Sequence, residues 1–375
     1  MNATPDNLVV LAAGGSGGHV FPAEALATEL SARGCRLSLI TDRRGDAYGG
    51  TLGNLETHRI RAGGIAGKSL VAKLRSGPEL AFGTLQARGL LKRMQPNVVV
   101  GFGGYASVPT MLAAVFGGYA TAIHEQNAVL GRANRLLGNR VRRIATSFDD
   151  VRFMTKDMTA KSIRTGMPVR AAVIEQRDTP YPHLDETSTV RILVTGGSQG
   201  ARILSDIVPA ALANLADDLK GRLHITQQCR PEDLDRVRAA YGASNITAEI
   251  DSFFRDLPKR LADSHLLIGR AGASTVSEAT VIGRPAILVP YLYAIDDHQS
   301  FNAHALDEAG GGWMMDEEIF TVDGLAQRLN SLLRVPPMMM RAAAASKQAG
   351  HPDAAERLAD VVFDLIGTNG ERRAA

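Results

Sequence analysis

Apolar residues along this chain fall into short runs separated by longer mixed stretches. In the first half the runs are Leu8–Ala13, Arg36–Thr41, Val98–Val100, Thr121–Ile123 and Arg143–Thr146. Each has strand length. Helical stretches follow Pro22 and run through Lys73–Met94. Strands alternating with helices predict a parallel, doubly wound sheet. The second half repeats the plan, with strands predicted at Arg191–Val194, Arg222–Thr226, Ile246–Ile250, His265–Ile268 and Ala286–Val289. Between the halves, Thr179–Thr189 is polar, carries Pro180 and Pro182, and fits an interdomain linker. Asp353–Ile366 has Ala, Leu and Val at helical spacing and is suited to pack back on either half, the N-terminal domain being the one expected. The domains predicted are 1–167 and 168–350, with a C-terminal helix and tail over 351–375.

Two glycine-rich turns punctuate the pattern. Gly14-Gly15-Ser16-Gly17-Gly18-His19 follows the first strand, and Thr195-Gly196-Gly197-Ser198-Gln199-Gly200 follows the first strand of the second half. A strand, a turn without side-chain bulk and a helix aim unpaired backbone N–H groups and a positive helix end at one point. Two such points suggest a phosphate-bearing ligand held between two domains.

Length and composition narrow the field. At 375 residues, two domains are expected. Aromatic content of 5% argues against stacking platforms for single-stranded nucleic acid. Cys35 and Cys229 are too few and too far apart for a disulfide framework or a zinc site. No basic segment precedes the first apolar run, so no signal peptide is read. Pro96–Ile123 holds no charged side chain but is broken by Gly101, Gly103, Gly104, Pro109, Gly117 and Gly118. It reads as strand, glycine loop, short helix and strand, ahead of a membrane span. Residues 1–167 hold 21 Lys and Arg against 11 Asp and Glu; the rest hold 21 against 28. The net charge of +3 therefore hides a basic half that suits an anionic partner, whether nucleic acid or membrane surface.

Candidate chemistry follows the turns. Gly14–Gly18 after a first strand, with Asp42 ending the second, also fits a nicotinamide or flavin oxidoreductase. The dull reading is a tight structural turn, with His19 a polar residue at a helix start. Gly269–Ala279 (GRAGASTVSEA) follows a strand and opens a helix whose N-terminus can close on a diphosphate. Glu278 lies about one turn in, where a carboxylate can accept ribose hydroxyls. Gln299, in Asp296–Ala303 (DDHQSFNA), can donate and accept with sugar hydroxyls. Asp296 and Asp297 read as a loop with a helix cap, since no third carboxylate or histidine is spaced to complete a hard-cation site. His124-Glu125-Gln126-Asn127 ends a strand at the sheet's carboxyl edge. It is either ligand-binding or a structural network holding Arg132 and Asn134. Both glycine turns, Gly14–Gly18 (GGSGG) and Gly196–Gly200 (GGSQG), spell G-x-S-x-G but are read as phosphate turns rather than nucleophile elbows, and no Walker G-x-x-x-x-G-K-[ST] is present.

Six segments in series then carry a resemblance: Gly14–Ala23 (GGSGGHVFPA), Gly101–Pro109 (GFGGYASVP), His124–Asn134 (HEQNAVLGRAN), Gly196–Arg202 (GGSQGAR), Arg270–Glu278 (RAGASTVSE) and Asp296–Ala303. Together, in this order and over nearly the whole chain, they resemble the MurG family. Its members add N-acetylglucosamine to lipid I, making lipid II for peptidoglycan. The resemblance implies a GT-B fold, with two Rossmann-like domains facing across a cleft. It implies an inverting hexosyltransferase that uses UDP-N-acetylglucosamine and attacks through the 4-hydroxyl of the N-acetylmuramyl group. Donor contacts map onto Ser16, Gly17, Gly18, Asn127, Arg170, Ser198, the backbone at Phe254, Glu278 and Gln299. His19 is the candidate base and Glu125 the alternative. Ser16 stands where threonine is frequent. Met167 replaces an asparagine before Pro168-Val169-Arg170, and Gln228-Cys229-Arg230 replaces Gln-Ser/Thr-Gly. No cofactor, metal or nucleic acid is called for. The partners implied are lipid I, an anionic inner-leaflet surface and proteins of cell-wall synthesis. The location implied is the cytoplasmic face of the bacterial inner membrane, held peripherally. The basic, leucine-bearing stretch Lys68–Arg93, interrupted by Gly77-Pro78, is the candidate membrane contact. A non-catalytic nucleotide-sugar binding module remains a rival reading.

Overall fold

The computed structural model describes residues 7–14, 17–42, 50–62, 70–197 and 200–374, with residues 70–76 and 369–374 as backbone. The chain forms two compact units. One comprises Met1–Arg170 with Asp353–Ala375, the other Ala171–Pro352.

In the first unit the apolar runs become parallel strands: β1 Leu8–Ala12, β2 Arg36–Thr41, β3 Glu56–Arg59, β4 Val98–Gly101, β5 Ala120–Glu125, β6 Arg143–Thr146 and β7 Ser162–Arg164. Their order is β3-β2-β1-β4-β5-β6-β7. The central strands read as continuous apolar runs because helices cover both faces of a parallel sheet. Side chains alternate between two cores. Val9, Leu11, Val98 and Val100 face one layer, where Leu358, Ala359, Val362 and Leu365 of the C-terminal helix Ala354–Ala374 pack on the sheet. Val10, Ala12 and Val99 face the other, with Met111, Ala113 and Ala114 of the helix Gly104–Phe116. Arg33 bonds Asp360 at 2.6 Å, but both are partly exposed, so burial rather than this ion pair holds the last helix.

The second unit has β8 Val190–Thr195, β9 Leu223–Gln228, β10 Thr247–Asp251, β11 Leu266–Gly269, β12 Ala286–Leu288 and β13 Gly312–Met314. Their order is β10-β9-β8-β11-β12-β13, again with parallel pairing. In both units the chain builds one side of the sheet and then crosses to the other. The strand order therefore reverses between β1 and β4, and between β8 and β11. Ligands bind open α/β sheets at the carboxyl ends of strands at such a point.

Three strands escape the hydrophobic pattern: β3, β7 and β13. All lie at sheet edges. β3 (ETHR) has no buried residue, and β7 and β13 are three residues each. These three are too short or too little buried to show a periodic signal, whereas the edge strand β10 is legible because Ala248 and Ile250 alternate onto the core. Pro96–Ile123 folds as read, into β4, the glycine loop, the helix Gly104–Phe116 and β5.

Two readings are corrected. The helix Leu70–Met94 runs unbroken through Gly77-Pro78. Both residues are exposed, so water can serve the carbonyl that the proline leaves without a donor. Thr179–Thr189 is an integral part of the second unit. Tyr181 donates its hydroxyl to the carbonyl of His265 at 2.9 Å, and Leu184 joins the core. Arg284, 1% exposed, donates to the carbonyls of Thr179, Pro180, Ala262, Ile282 and Gly283. Burial pushes its pKa down to about 10, so the guanidinium stays charged near neutral pH. The polar side chains His183, Asp185, Glu186, Thr187 and Thr189 face solvent, while the segment is anchored through its backbone and through Tyr181 and Leu184.

Candidate active site

Both glycine turns lie where the strand order reverses. β1 leads into Gly14, where an added Cβ would come within 2.7 Å of Ala106 Cβ and 2.9 Å of Thr41 Oγ1. Only glycine passes there. Ser16 lies outside the described residues. Gly17 and Gly18 open the helix Gly17–Ala32. Their N–H groups are among the four that a helix start leaves without internal partners, at its positive end. His19 follows in the first turn, half-buried.

The loop after β4 walls this histidine. Gly103 and Gly104 hold φ of +78° and +69°. A Cβ on Gly103 would sit 3.5 Å from His19 Cε1, and one on Gly104 would sit 3.2 Å from His19 Cδ2. The imidazole thus lies against bare backbone. Arg170 reaches the same helix, its guanidinium 4.8 Å from the ring centre of Phe21.

The end of β5 supplies a buried polar set. His124, Glu125 and Gln126 are each at most 2% exposed. Glu125 Oε1 accepts from the Asn127 backbone N–H at 3.0 Å and lies 3.4 Å from Asn127 Nδ2. Its Oε2 accepts from the Gly131 N–H and Asn134 Nδ2, both at 2.8 Å. That carboxylate holds its loop in place, and candidate Asn127 is positioned by it. Gln126 Nε2 faces the carbonyls of Phe102 and His124 at 3.0 and 3.1 Å, and His124 Nδ1 at 3.1 Å. Gln126 Oε1 meets His19 Nδ1 at 3.1 Å. Burial pushes the His124 pKa down to about 4, so the ring is neutral near pH 7. The sequence placed Gln126 in a polar quartet without a role, because nothing in its spacing announces contact with a histidine on another strand's helix.

In the second unit β8 leads into Gly196, where a Cβ would meet the Ala201 nitrogen at 2.3 Å. Gly197 and Gly200 hold φ of +75° and +68°. Ser198 lies outside the described residues. Thr195 donates its hydroxyl to Gln228 Oε1 at 2.8 Å and accepts from the Gly197 N–H at 3.3 Å. Gln228 therefore anchors the start of the turn. Beside this turn, β11 ends in Gly269, which approaches the Thr195 carbonyl too closely for any Cβ, at 2.8 Å. Gly272 caps the helix Ala273–Ile282.

Glu278 lies in that helix, 9% exposed. Asn302, fully buried, donates to the Ala271 carbonyl at 3.1 Å and ties the turn to the helix His298–Glu308. Gln299 sits in the first turn of this helix and accepts from the Tyr291 N–H at 3.0 Å. That contact fixes its oxygen and turns its NH₂ toward donation. Phe254 is 7% exposed, beneath the Arg260 guanidinium at 4.3 Å. Arg270 pairs with Glu317 at 2.7 Å and donates to the Val289 and Pro290 carbonyls, so it braces the loop after β12. Asp296 and Asp297 hold φ of +55° and +56°. Asp297 occupies the cap position, but its carboxylate accepts from the Ser300 hydroxyl at 2.6 Å rather than from a helix N–H. Among the described residues, no three His, Cys, Asp or Glu side chains group as metal ligands.

Two family models match the chain: the glycosyltransferase family 28 N-terminal domain over residues 9–146 and the family's C-terminal domain over residues 191–358. A relative from Paramagnetospirillum magneticum is 58% identical over 364 residues, covering 97% of this chain and 98% of its own. The chain belongs to glycosyltransferase family 28. A second relative, from Rhodospirillum rubrum, is 56% identical and covers 94% of this chain and 91% of its own. Both relatives are UDP-N-acetylglucosamine–N-acetylmuramyl-(pentapeptide) pyrophosphoryl-undecaprenol N-acetylglucosamine transferases. The crystal structure of Acinetobacter baumannii MurG superposes with a TM-score of 0.78 at 28% identity, over 96% of this chain and 99% of that one. A Neisseria meningitidis UDP-GlcNAc 2-epimerase matches with a TM-score of 0.63 at 13% identity, over 95% of this chain and 99% of that one. That likeness concerns the fold alone, since one fold hosts several chemistries. Family membership sets aside the nicotinamide or flavin oxidoreductase.

Gly104 gives a test of the histidine's seat. In Gly104→Ala a Cβ must occupy a left-handed backbone against the ring, at a cost of roughly 1–2 kcal/mol. The expected result is a less stable protein with displaced NMR signals of the His19 ring. Unchanged stability and an unchanged ring environment would show that the glycine wall is dispensable.

Proposed function

We propose that this chain transfers N-acetylglucosamine from UDP-N-acetylglucosamine to the 4-hydroxyl of the N-acetylmuramyl group of lipid I, giving lipid II, with inversion at the anomeric carbon. The observation that carries the reading is a 58% identical transferase matched along 97% of the chain. The testing measurement is UDP release from UDP-N-acetylglucosamine with and without a lipid I analogue. Release that depends on the acceptor supports transfer. Donor binding without release would leave a nucleotide-sugar binding module.

The chemistry needs two services. A base must take the proton of the attacking hydroxyl as its oxygen bonds to the anomeric carbon. Donors must receive the charge that grows on the diphosphate as the bond from that carbon to its oxygen breaks. For the first, His19 is preferred over Glu125. Every Glu125 oxygen already accepts hydrogen bonds within its own loop, while the His19 ring is half-buried on a helix start. For the second, the helix beginning at Ala273 and the glycine turns offer N–H groups. Glu278 is assigned to ribose hydroxyls and Gln299, as a donor, to sugar hydroxyls. Gly17, Gly18, Asn127, Arg170 and Phe254 keep their proposed donor contacts, as do Ser16 and Ser198 on sequence grounds.

The membrane contact is proposed on the helix Leu70–Met94 and the helix Gly104–Phe116, which pack together in the first unit. Phe82, Leu85 and Phe116 are 46%, 64% and 72% exposed. Arg88, Lys92 and Arg93 are exposed on the first of these helices, and Arg61 stacks over the Phe82 ring at 4.9 Å. Apolar side chains that dip into a leaflet beside cations that meet anionic headgroups give peripheral attachment. Leu91 is withdrawn from the candidate patch because it is fully buried in the sheet's core, and Leu90 packs against that core. Lys68 lies outside the described residues, and the side chains of Leu70, Val71, Lys73, Leu74 and Arg75 are not described. No helix among the described residues is long and apolar enough to cross a membrane.

Three outcomes are expected. Glu278→Ala and Gln299→Ala each remove a partner from a substrate hydroxyl, worth on the order of 1–3 kcal/mol. Donor KM should rise while acceptor KM holds, and unchanged donor kinetics in both would refute the assignment. His19→Ala should lower kcat by about 10²–10⁴-fold with donor binding retained; turnover near the parental rate moves the base elsewhere. The triple variant Phe82→Ser, Leu85→Ser, Phe116→Ser should lose binding to anionic vesicles while still using a short-chain soluble acceptor. Parental vesicle binding by that variant would place the membrane contact on another surface.

A further inference from the structure

We propose that Gln126 is a positioning residue: its side-chain oxygen holds the proton of His19 on Nδ1 and leaves Nε2 as a bare lone pair for the acceptor hydroxyl. The proposal rests on the reading of His19 as the base.

The proton assignment follows from the partners. A backbone carbonyl can only accept. Gln126 presents one end of its amide to the carbonyls of Phe102 and His124, at 3.0 and 3.1 Å. That end must be the NH₂, because an oxygen there would face two other oxygens. The opposite end, against His19 Nδ1 at 3.1 Å, is therefore the carbonyl oxygen. It cannot donate, so His19 Nδ1 must. A neutral imidazole carries one N–H, and once that sits on Nδ1 the other nitrogen is an acceptor.

His124 secures the same answer from behind. Its Nε2 lies 3.1 Å from the Gly166 carbonyl, so Nε2 donates. With the ring neutral, Nδ1 is an acceptor, and at 3.1 Å it shares one of the two Gln126 N–H groups with the His124 carbonyl. Four groups thus form one directed chain: the Gly166 carbonyl, His124, Gln126 and His19. Gln126 is 2% exposed and His124 fully buried, so water cannot compete for their partners. At the far end the His19 ring rests on Gly103 and Gly104, its Nε2 3.4 Å from where a Gly104 Cβ would stand. The ring can neither flip nor trade tautomers without breaking the Gln126 bond.

The arrangement does with an amide what hydrolase triads do with a carboxylate. A carboxylate orients a histidine and also stabilises the imidazolium that forms. An amide orients it and adds no charge. Its removal should therefore cost less than the ~10⁴-fold seen when a triad carboxylate is neutralised.

The experiment has two arms on the full chain. Nitrogen-15 NMR of histidine-labelled parent protein, with His19 assigned by the loss of its signals in His19→Ala, reads the tautomer directly. A protonated Nδ1 and bare Nε2 on His19 support the proposal; a protonated Nε2 overturns it. This arm needs no altered Gln126 and so does not depend on a variant that folds. The second arm is Gln126→Leu, of similar size and with no acceptor. The expected result is a kcat lower by roughly 10–100-fold, with donor KM within about twofold of the parent and the fixed Nδ1–H signature of His19 lost. A purely structural role would leave that tautomer in place. Gln126→Leu with parental kcat and an Nδ1–H His19, beside an inactive His19→Ala, overturns the role of Gln126 and leaves the base reading standing. An active His19→Ala overturns the base reading instead, and the functional role of Gln126 with it.

Discussion

Two neighbouring strands whose following loops depart to opposite faces of a sheet open a space at their carboxyl ends, and the chain must enter it with backbone alone. In the first unit this governs everything near His19. Gly14 passes between Ala106 and Thr41 with no room for a methyl group, and Gly103 and Gly104 adopt left-handed backbone to lie along the imidazole. In the second unit Gly196 and Gly269 meet backbone atoms of their neighbours at distances no Cβ tolerates. These glycines serve close approach rather than flexibility. Because the walls are backbone, N–H groups and helix starts can turn toward a ligand without intervening side chains.

Polar groups buried beside such a gap must be satisfied or they cost stability. The end of β5 solves this twice, with opposite consequences. Glu125 collects the N–H groups of Asn127 and Gly131 and the amide of Asn134, so its oxygens are occupied by the loop they shape. Gln126 is satisfied by carbonyls on one side and has its oxygen left for a histidine on the other. Adjacent residues of similar burial thus separate into a loop brace and a positioning group. Burial alone does not distinguish them; the direction of each hydrogen bond does.

Much of this was legible in the sequence, for a physical reason. Central strands of a parallel sheet are buried on both faces, so β1, β4 and β8 show as apolar runs, and the turns that follow show as glycine. β3 and β13 lack that signal because β3 buries no residue and β13 is only three residues long. Thr179–Thr189 looked like a linker because its polarity was visible and Arg284, about 100 residues further along, was not. Gln126 and His19 are likewise far apart in the chain, and their contact exists only because β5 lies two strands from β1. Local pattern reports periodicity and burial. It does not report which distant polar atom faces which.

The charge asymmetry between the halves takes on a more specific meaning in the structure. The second half is acidic overall, and three arginines beside its glycine turns are engaged by carboxylates. Arg230, whose Cγ would lie 2.6 Å from a Cβ on Gly200, bonds Asp233 at 2.8 Å. Arg270, between β11 and the helix it precedes, bonds Glu317 at 2.7 Å. Arg202, which opens the helix Arg202–Ala213 after the second glycine turn, pairs with Asp206 at 3.3 Å. These cations are matched by carboxylates and brace loops. Among the described residues of these turns, backbone N–H donors and the positive end of the helix Ala273–Ile282, whose dipole is worth about half a unit charge, are placed to face an anion. Fixed backbone donors need no side-chain ordering when charge develops on a leaving diphosphate, and their direction is set by the same strand crossing that placed the glycines.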